Sequence, residues 1–217
     1  MANDLIIQGN GKIFGDLTIT GAINGISRSD LDTETLRVFE QDILQAREVA
    51  TADYHNHLQN DAGAGDGDLR IVGGTYGTDT PSIQSGDVMA VGLKTRSARI
   101  LVKVPTNYVD ASPLTLRLRS GMKTTVADTS ATADCECYLS NKEAGKHATQ
   151  TGDMCTTSAI SINSLTLSNR DFTLTPTYVV AGDLLDIKLT LAITDASSGT
   201  AVIGVIGNIA LLCSTKG

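Results

Sequence analysis

Between residue 69 and the end of the chain, apolar and polar residues alternate with a period of two. In residues 100–104, 114–118 and 185–193, every second side chain is apolar. Successive side chains of a β-strand point to opposite sides, so this alternation is typical of strands with one buried and one solvated face. Turn residues separate the runs, and no long helical period appears among them. The pattern predicts an all-β fold in which residues 69–217 form an antiparallel, jelly-roll-like β-sandwich of seven or eight strands.

The final run, residues 200–213, differs from the others because it is apolar on both faces. Strands with this composition are buried on both sides. We therefore expect it to be a central strand of a sheet or to be covered by another subunit. A smaller pattern, Gly-Asp followed by Leu or Val, begins at residues 15, 67, 86 and 182 and indicates tight turns that lead into strands.

The four cysteines show no spacing typical of a metal site. Cys135 and Cys137 are two residues apart in an alternating run, which places both sulfurs on one face of a strand. Zinc sites usually combine two C-x2–4-C pairs, or one such pair with histidines. The pattern favours buried, free thiols that act as small apolar side chains. A disulfide or a metal role remains an open alternative.

Charge and motif content argue against several functions. The chain has 17 basic and 24 acidic residues and therefore a net charge of −7. This balance argues against nucleic-acid binding, which depends on clustered Lys and Arg that contact the phosphates. No apolar run approaches the ~20 residues of a membrane-spanning helix. The sequence contains no G-x-S-x-G elbow, P-loop or H-E-x-x-H pair. We predict a protein that is not an enzyme and binds neither nucleic acid nor membrane.

Residues 1–30 consist of short β-branched segments interrupted by glycine. This composition suits short strands and turns rather than a helix. The apolar residues are too few to form a core of their own, so we predict a glycine-rich β arm that needs the surface of a neighbouring subunit or a larger partner. The predicted contact residues of the arm are Leu5, Ile6, Ile7, Ile13 and Phe14.

Residues 31–68 are predicted to form a short α-helix and a polar connector. Asp32 or Thr33 would cap the helix. Its apolar residues follow a spacing of three and four, which is that of an a/d seam. The seam either packs on the main domain or joins several copies of the chain about a symmetry axis. The seam residues are Leu36, Phe39, Ile43 and Ala46.

The connector contains the one candidate metal site, His55 and His57. In an extended segment these two imidazoles face the same side. Two ligands from one chain make a poor site, but three chains about an axis would supply six nitrogens to a transition metal. Solvent-exposed histidines are the simpler alternative. The nearby acidic residues lack the D-x-[DN]-x-[DN]-G spacing of a calcium loop. These are Asp61, Asp66 and Asp68.

Several stretches resemble virion structural proteins of tailed bacteriophages. Residues 15–21, Gly-Asp-Leu-Thr-Ile-Thr-Gly, are similar to the start of many tail-fibre chains. Residues 133–138, 184–195 and 204–212 resemble sandwich strands of phage structural proteins. The H-x-H at residues 55–57 is similar to that of fibre proteins that hold a metal on a threefold axis. The order of arm, short helix and sandwich most resembles that of capsid decoration (cement) and head-fibre proteins.

This resemblance implies a homotrimer on the outside of the virion capsid, assembled in the host cytoplasm. The arm would bind the major capsid protein or other virion proteins and stabilise the shell, while the sandwich projects outward or bridges capsomers. The alternative is a tail-fibre or receptor-binding protein whose sandwich recognises a host surface glycan. Such a protein would present exposed aromatic side chains on its loops. The aromatic candidates after the connector are Tyr76, Tyr108, Tyr138 and Tyr178.

Overall fold

The computed structural model describes residues 34–49, 56–60, 67–88, 91–140, 152–196 and 200–216, all of which lie within one compact unit, Glu34–Lys216. The predicted arm, residues 1–30, is outside the described residues. Ten strands and one short 3-10 turn, Ile43–Gln45, are present in the described part. The strands are β1 (Glu34–Glu40), β2 (Arg70–Val72), β3 (Ser82–Gln84), β4 (Gly92–Lys103), β5 (Leu114–Met122), β6 (Ser130–Ser140), β7 (Ile160–Ser161), β8 (Ser168–Leu174), β9 (Leu184–Asp195) and β10 (Gly204–Lys216).

The strands form two antiparallel sheets. The first sheet has the order β2-β3-β10-β5-β8, with β1 also paired to β10, and the second has the order β4-β9-β6-β7. Core residues come from both sheets and form one apolar cluster. The antiparallel β-sandwich predicted from the two-residue alternation is therefore confirmed.

The pairing pattern is that of a jelly roll. Strand β3 pairs with β10, β4 with β9, β5 with β8 and β6 with β7, so the pairs nest inside one another along the chain. One long hairpin, from β3 to β10, accounts for all four pairs. Successive strands from β3 to β6, and again from β7 to β10, lie in different sheets, because the hairpin is rolled over itself. This arrangement of eight strands in two sheets is the jelly roll.

The apolar residues of the alternating pattern form the core. In β5, Leu114, Leu116 and Leu118 are fully buried, and the residues between them face the other side of the sheet. In β6, Cys135 and Cys137 point inward and are buried as free thiols, as predicted. Burying a side chain of leucine size contributes roughly 1.5–3 kcal/mol, so these inward rows are the main source of stability.

Strand β10, which contains most of the doubly apolar final run, is central, as predicted. Strand β5 pairs along one edge of β10, while β3 and β1 share the other edge. The register shifts between Ile206 and Asn208, which marks a β-bulge. Before the bulge Ile206 faces the core, and after it Ile209 and Leu211 do. The bulge exchanges the inward and outward positions, and after it the outward positions Ala210 and Leu212 are apolar as well, so both parities of the run carry apolar residues.

The predicted α-helix in residues 31–52 is wrong. Residues Glu34–Glu40 form strand β1, which pairs with β10 from Glu34 opposite Lys216 to Glu40 opposite Ala210. A helix of two heptads is marginal in isolation, whereas β10 offers a full row of backbone partners. The chain then makes the short turn Ile43–Gln45, capped by Asp42, whose side chain accepts a hydrogen bond of 3.0 Å from the Leu44 N–H. Pairing with β10 therefore stabilises a strand in this segment more than the three-and-four spacing stabilises a helix.

Three of the Gly-Asp turns are confirmed by backbone conformation. Gly67, Gly86 and Gly182 have φ values of 98°, 67° and 83°, in the region that favours glycine. Asp183 then accepts a hydrogen bond of 2.9 Å from the Val180 N–H, which closes the turn before β9. The Gly-Asp pair at residue 15 is outside the described residues.

The outer edge of β4 is closed by other parts of the chain. The backbones of Arg47 and Arg99 exchange two hydrogen bonds of 2.8 and 2.9 Å. The Leu69 N–H donates to the Ser97 carbonyl at 2.8 Å, and Asp68 is buried beside it. The Asp68 carboxylate accepts a hydrogen bond of 2.7 Å from the Val49 N–H, so this side chain supports the fold. Segments near residues 47 and 68 thus protect the β4 edge.

Phe172 is expected to be a major determinant of stability. It is fully buried and lies opposite Leu116 in the core-facing row of the first sheet. Replacement Phe172→Ala should lower the free energy of unfolding by about 3–5 kcal/mol, because it removes apolar contact and leaves a cavity. Urea unfolding followed by circular dichroism measures this change.

Thr173→Ala, at the exposed neighbouring position of the same strand, is the matched control and should change stability by no more than about 0.5 kcal/mol. Equal effects of the two substitutions would contradict the assignment of inward and outward faces in β8.

Candidate interaction surface

Strand β1 is an edge strand. It pairs with β10 along one side, and no other strand of the described ranges pairs along its second side. An uncovered strand presents a row of backbone N–H and C=O groups that can pair with another chain. The β4 edge is covered around Ser97 and Arg99, and the β8 edge is covered near Thr173 and Leu174. Among the described residues, β1 is therefore the seven-residue strand whose second side lacks a paired segment along its whole length.

The outer face of β1 is apolar. Directly opposed residues of an antiparallel pair share a face, so Phe39, opposite Leu211, is directed toward the core. Leu36 and Val38 alternate with it and lie on the outer face, where they are 65% and 51% exposed.

On the outer face, β1 and β10 together form a continuous apolar row. Val38 lies opposite Leu212, and Ala210 follows two residues away on the same face of β10. Both β10 residues are buried, although they are not part of the core cluster between the sheets. We call Leu36, Val38, Ala210 and Leu212 the β1–β10 strip.

Charged residues border this strip on the neighbouring strands. Arg117 lies opposite Ala210 on β5, and Asp171 lies opposite Arg117 on β8. The Arg117 Nε and Nη2 atoms donate to the two Asp171 carboxylate oxygens, each at 2.7 Å. This bidentate bond lowers the pKa of Asp171 and raises the pKa of Arg117. On the other side, the Asn208 amide donates to the Glu40 carboxylate. The exposed part of the strip, Leu36 and Val38, thus adjoins charged and polar residues, and apolar residues with a polar rim are the usual composition of a binding surface.

The four predicted seam residues do not lie together on one face. Leu36 is exposed on the strip, Phe39 and Ile43 are half-buried against the core, and Ala46 is part of the core. Sequence reasoning missed Val38 because it assumed a helical spacing, in which Val38 and Leu36 do not share a face. Their two-residue spacing was the available signal. The role of the seam as an oligomer contact stays a prediction.

The structure covers only part of the predicted metal site. His57 is exposed, and its Nδ1 atom lies 3.1 Å from the Leu44 carbonyl oxygen. His55 is outside the described residues, as are the arm residues Leu5, Ile6, Ile7, Ile13 and Phe14. Among the residues that the structure describes, no group of three or more His, Cys, Asp or Glu side chains is arranged to hold a metal ion. Within the same residues, no helix has the length and apolar character needed to span a membrane.

Comparisons with known proteins identify no family for the chain. No protein-family profile matches it, and no curated protein sequence matches it significantly. The carbohydrate-binding module TmCBM61, solved with β-1,4-galactotriose, has a TM-score of 0.33 and 10% identity over 82% of this chain and 88% of that one.

Two solved viral structures are also similar. The structure of the infectious bursal disease virus Gx strain has a TM-score of 0.26 and 11% identity over 95% of this chain and 54% of that one. The structure of the VP2 subviral particle of the same virus has a TM-score of 0.25 and 13% identity over 84% of this chain and 53% of that one. The chain thus spans about half the length of these viral chains. With TM-scores below 0.5, none of the three likenesses assigns a ligand or a partner to this chain.

The Arg117–Asp171 pair should make stability depend on pH at the acid end. Asp171 has a lowered pKa in the folded protein because of Arg117. Its contribution is therefore fully present above the unfolded-state pKa near ~4 and is lost as the pH falls through the folded-state pKa. Asp171→Asn should lower stability at pH 7 by less than about 1 kcal/mol, since both side chains are about a third or more exposed.

Urea unfolding of both proteins between neutral and strongly acidic pH measures this difference, which should vanish at the acid end. Asp87→Asn, which removes an exposed loop carboxylate, is the control and should lower stability less at pH 7. A difference for Asp171→Asn that stays constant across the pH range would contradict the linkage.

Proposed function

We propose that the chain is a structural virion protein of the capsid decoration (cement) or head-fibre kind, which binds the outside of an assembled capsid. The observation that carries this proposal is the edge of β1, which no other strand of the described residues pairs with, together with the exposed Leu36 and Val38 beside it. An uncovered edge strand with an apolar face is a surface to which a second chain adds by strand pairing and side-chain burial. The proposed partner is the major capsid protein.

The arm and β1 are proposed to bind together. The arm precedes β1 directly in the sequence, so contacts of Ile6, Ile13 and Phe14 and contacts of the β1 edge belong to one continuous stretch of chain. A linked pair of contacts binds more tightly than either alone, because the second contact forms within the same complex. A homotrimer would multiply this effect by presenting three such stretches.

The proposed role is to stabilise the shell by mass action. A protein that binds the assembled lattice, and not its separate subunits, favours assembly by RT ln(1 + [L]/Kd), roughly 2.7 kcal/mol per site when the free concentration is 100 times Kd. No catalytic group is needed for this role. The requirement is a rigid sandwich that holds an adhesive segment at its edge.

Cosedimentation with shells tests the proposal. The full-length protein should pellet with purified shells assembled from the major capsid protein of the same genome, and should raise the temperature at which those shells dissociate. Ile6→Asp in the arm and Val38→Asp on β1 should each weaken binding by tenfold or more, because each places a charge in an apolar contact.

The controls are Asn10→Asp and Thr35→Asp, which add the same charge at a polar arm position and an exposed β1 position. Circular dichroism verifies that all four variants fold, and light scattering measures whether the protein is a trimer. Binding that is unchanged by Ile6→Asp and Val38→Asp would refute the proposed contact. A monomer would remove the threefold part of the proposal.

A specific observation favours glycan binding as a second candidate function. Tyr76 is fully exposed on a turn that the Asp79 carboxylate holds through hydrogen bonds of 3.1 and 2.7 Å from the Gly74 and Thr75 N–H groups. Tyr178 is also exposed, on the loop before β9. Rigid exposed aromatic rings offer flat apolar faces against which sugar rings can stack. The receptor-binding alternative predicts such rings.

Glycan-array binding separates the two functions. If the protein recognises a host glycan, Tyr76→Ala or Tyr178→Ala should abolish the array signal and leave shell binding intact, because neither ring lies on the β1–β10 strip. Val126→Ala, an exposed apolar residue on another loop, is the control. No array signal from the wild-type protein would leave the structural virion role as the sole candidate.

A further inference from the structure

Three of the four cysteines lie beside one strand. Cys135 and Cys137 are on the inward face of β6, and Cys155 is on the segment that precedes β7. The Met154 N–H donates to the Cys137 carbonyl at 2.8 Å, which fixes this segment alongside β6. One Asp153 carboxylate oxygen accepts from the Cys137 N–H at 2.7 Å and from the Cys155 N–H at 2.9 Å. The backbone of Cys155 is therefore held next to the C-x-C strand.

This placement makes the side chains of Cys135 and Cys155 neighbours that interact through a hydrogen bond, and the Cys155 Sγ atom also donates to the Thr157 carbonyl at 3.6 Å. Cys135 is buried, whereas Cys155 is only half-buried and can be reached from solvent. A disulfide bond of ~2.05 Å can form only between cysteines whose side chains are neighbours, as these two are. The neighbouring backbone hydrogen bonds already hold both residues in place.

The thiols differ in reactivity. The hydrogen bond from Cys135 lowers the pKa of Cys155, and the same bond, with burial, raises the pKa of Cys135. Burial also raises the pKa values of Cys137 and Cys213. The thiolate is the nucleophile in disulfide exchange, so an accessible thiol with a lowered pKa next to a second thiol is the arrangement of a redox-sensitive pair.

We propose that Cys155 and Cys135 form a disulfide on exposure to a low-molecular-weight disulfide, with Cys155 as the attacking thiol and Cys135 as the resolving thiol. The product links strand β6 to the segment before β7. It also closes the chain between residues 135 and 155 into a covalent loop, which restricts the unfolded chain and stabilises the fold.

With oxidised glutathione as the oxidant, the reaction balances in two exchange steps. The Cys155 thiolate attacks one glutathione sulfur, a protein–glutathione disulfide forms, and the other glutathione leaves as a thiolate that takes up a proton. The Cys135 thiol then loses its proton and attacks the Cys155 sulfur, releasing the second glutathione. Two protein thiols are oxidised, and one glutathione disulfide is reduced to two thiols.

Intact mass and peptide mapping test this proposal on the full chain. After incubation with oxidised glutathione and alkylation of the remaining thiols, the folded wild-type protein should carry two alkyl groups, not four. Its peptide map should contain a Cys135–Cys155 link, and its thermal midpoint should rise. Cys135→Ser should instead keep one glutathione on Cys155, because the resolving thiol is gone.

The controls separate this pair from the other thiols. Cys155→Ser should gain neither a crosslink nor glutathione, whereas Cys213→Ser, a buried thiol of the other sheet, should form the same link as wild type. A link that includes Cys137 or Cys213 would overturn the proposal, as would a folded wild-type protein that keeps four free thiols. The wild-type peptide map decides the matter even if a variant does not fold.

Discussion

The first sheet depends on the backbone pairing of β10 along both of its edges. Strand β5 takes one edge, and β3 and β1 take successive parts of the other. Each backbone N–H and C=O group of a buried strand needs a partner, and β10 finds them on strands from the start and the middle of the described chain. Removing β10 would therefore detach β1 and β3 from β5. The sandwich can close only after its last strand is in place, which makes its stabilising contacts long-range in sequence.

The same pairing explains why β1 is an edge strand of the first sheet. Within the part of the chain that the structure describes, β1 pairs with β10 alone, while the middle of the β4 edge is covered by the backbone around Arg47 and Leu69. A jelly roll gains most of its core from strands β3 to β10, so β1 adds little to the apolar cluster. It adds instead the exposed apolar side chains Leu36 and Val38, beside a strand edge that no other described strand pairs with. Such a surface is costly for a protein that stands alone and useful for one that assembles.

The cysteine cluster follows from the jelly roll as well. The C-x-C spacing puts two sulfurs on the inward face of β6, as the sequence predicts. The proximity of Cys155 depends on the position of Asp153 and Met154, which lie beside Cys137. A separation of twenty positions along the chain says nothing about that contact. The reactive pair is therefore a product of topology.

Alternation of apolar and polar residues by itself determined the fold class, the inward faces of β5, β6 and β9, and the burial of Cys135 and Cys137. These features depend on the geometry of a single strand, which each short stretch of sequence carries. Only the tertiary structure decided that residues 34–40 are a strand, since helical and strand spacings overlap in so short a segment and the backbone edge of β10 settles the choice. It likewise decided the bulge near Gly207 and the position of Val38 beside Leu212. Strand pairing joins residues far apart in the chain, and no local pattern encodes which distant strand supplies the partner.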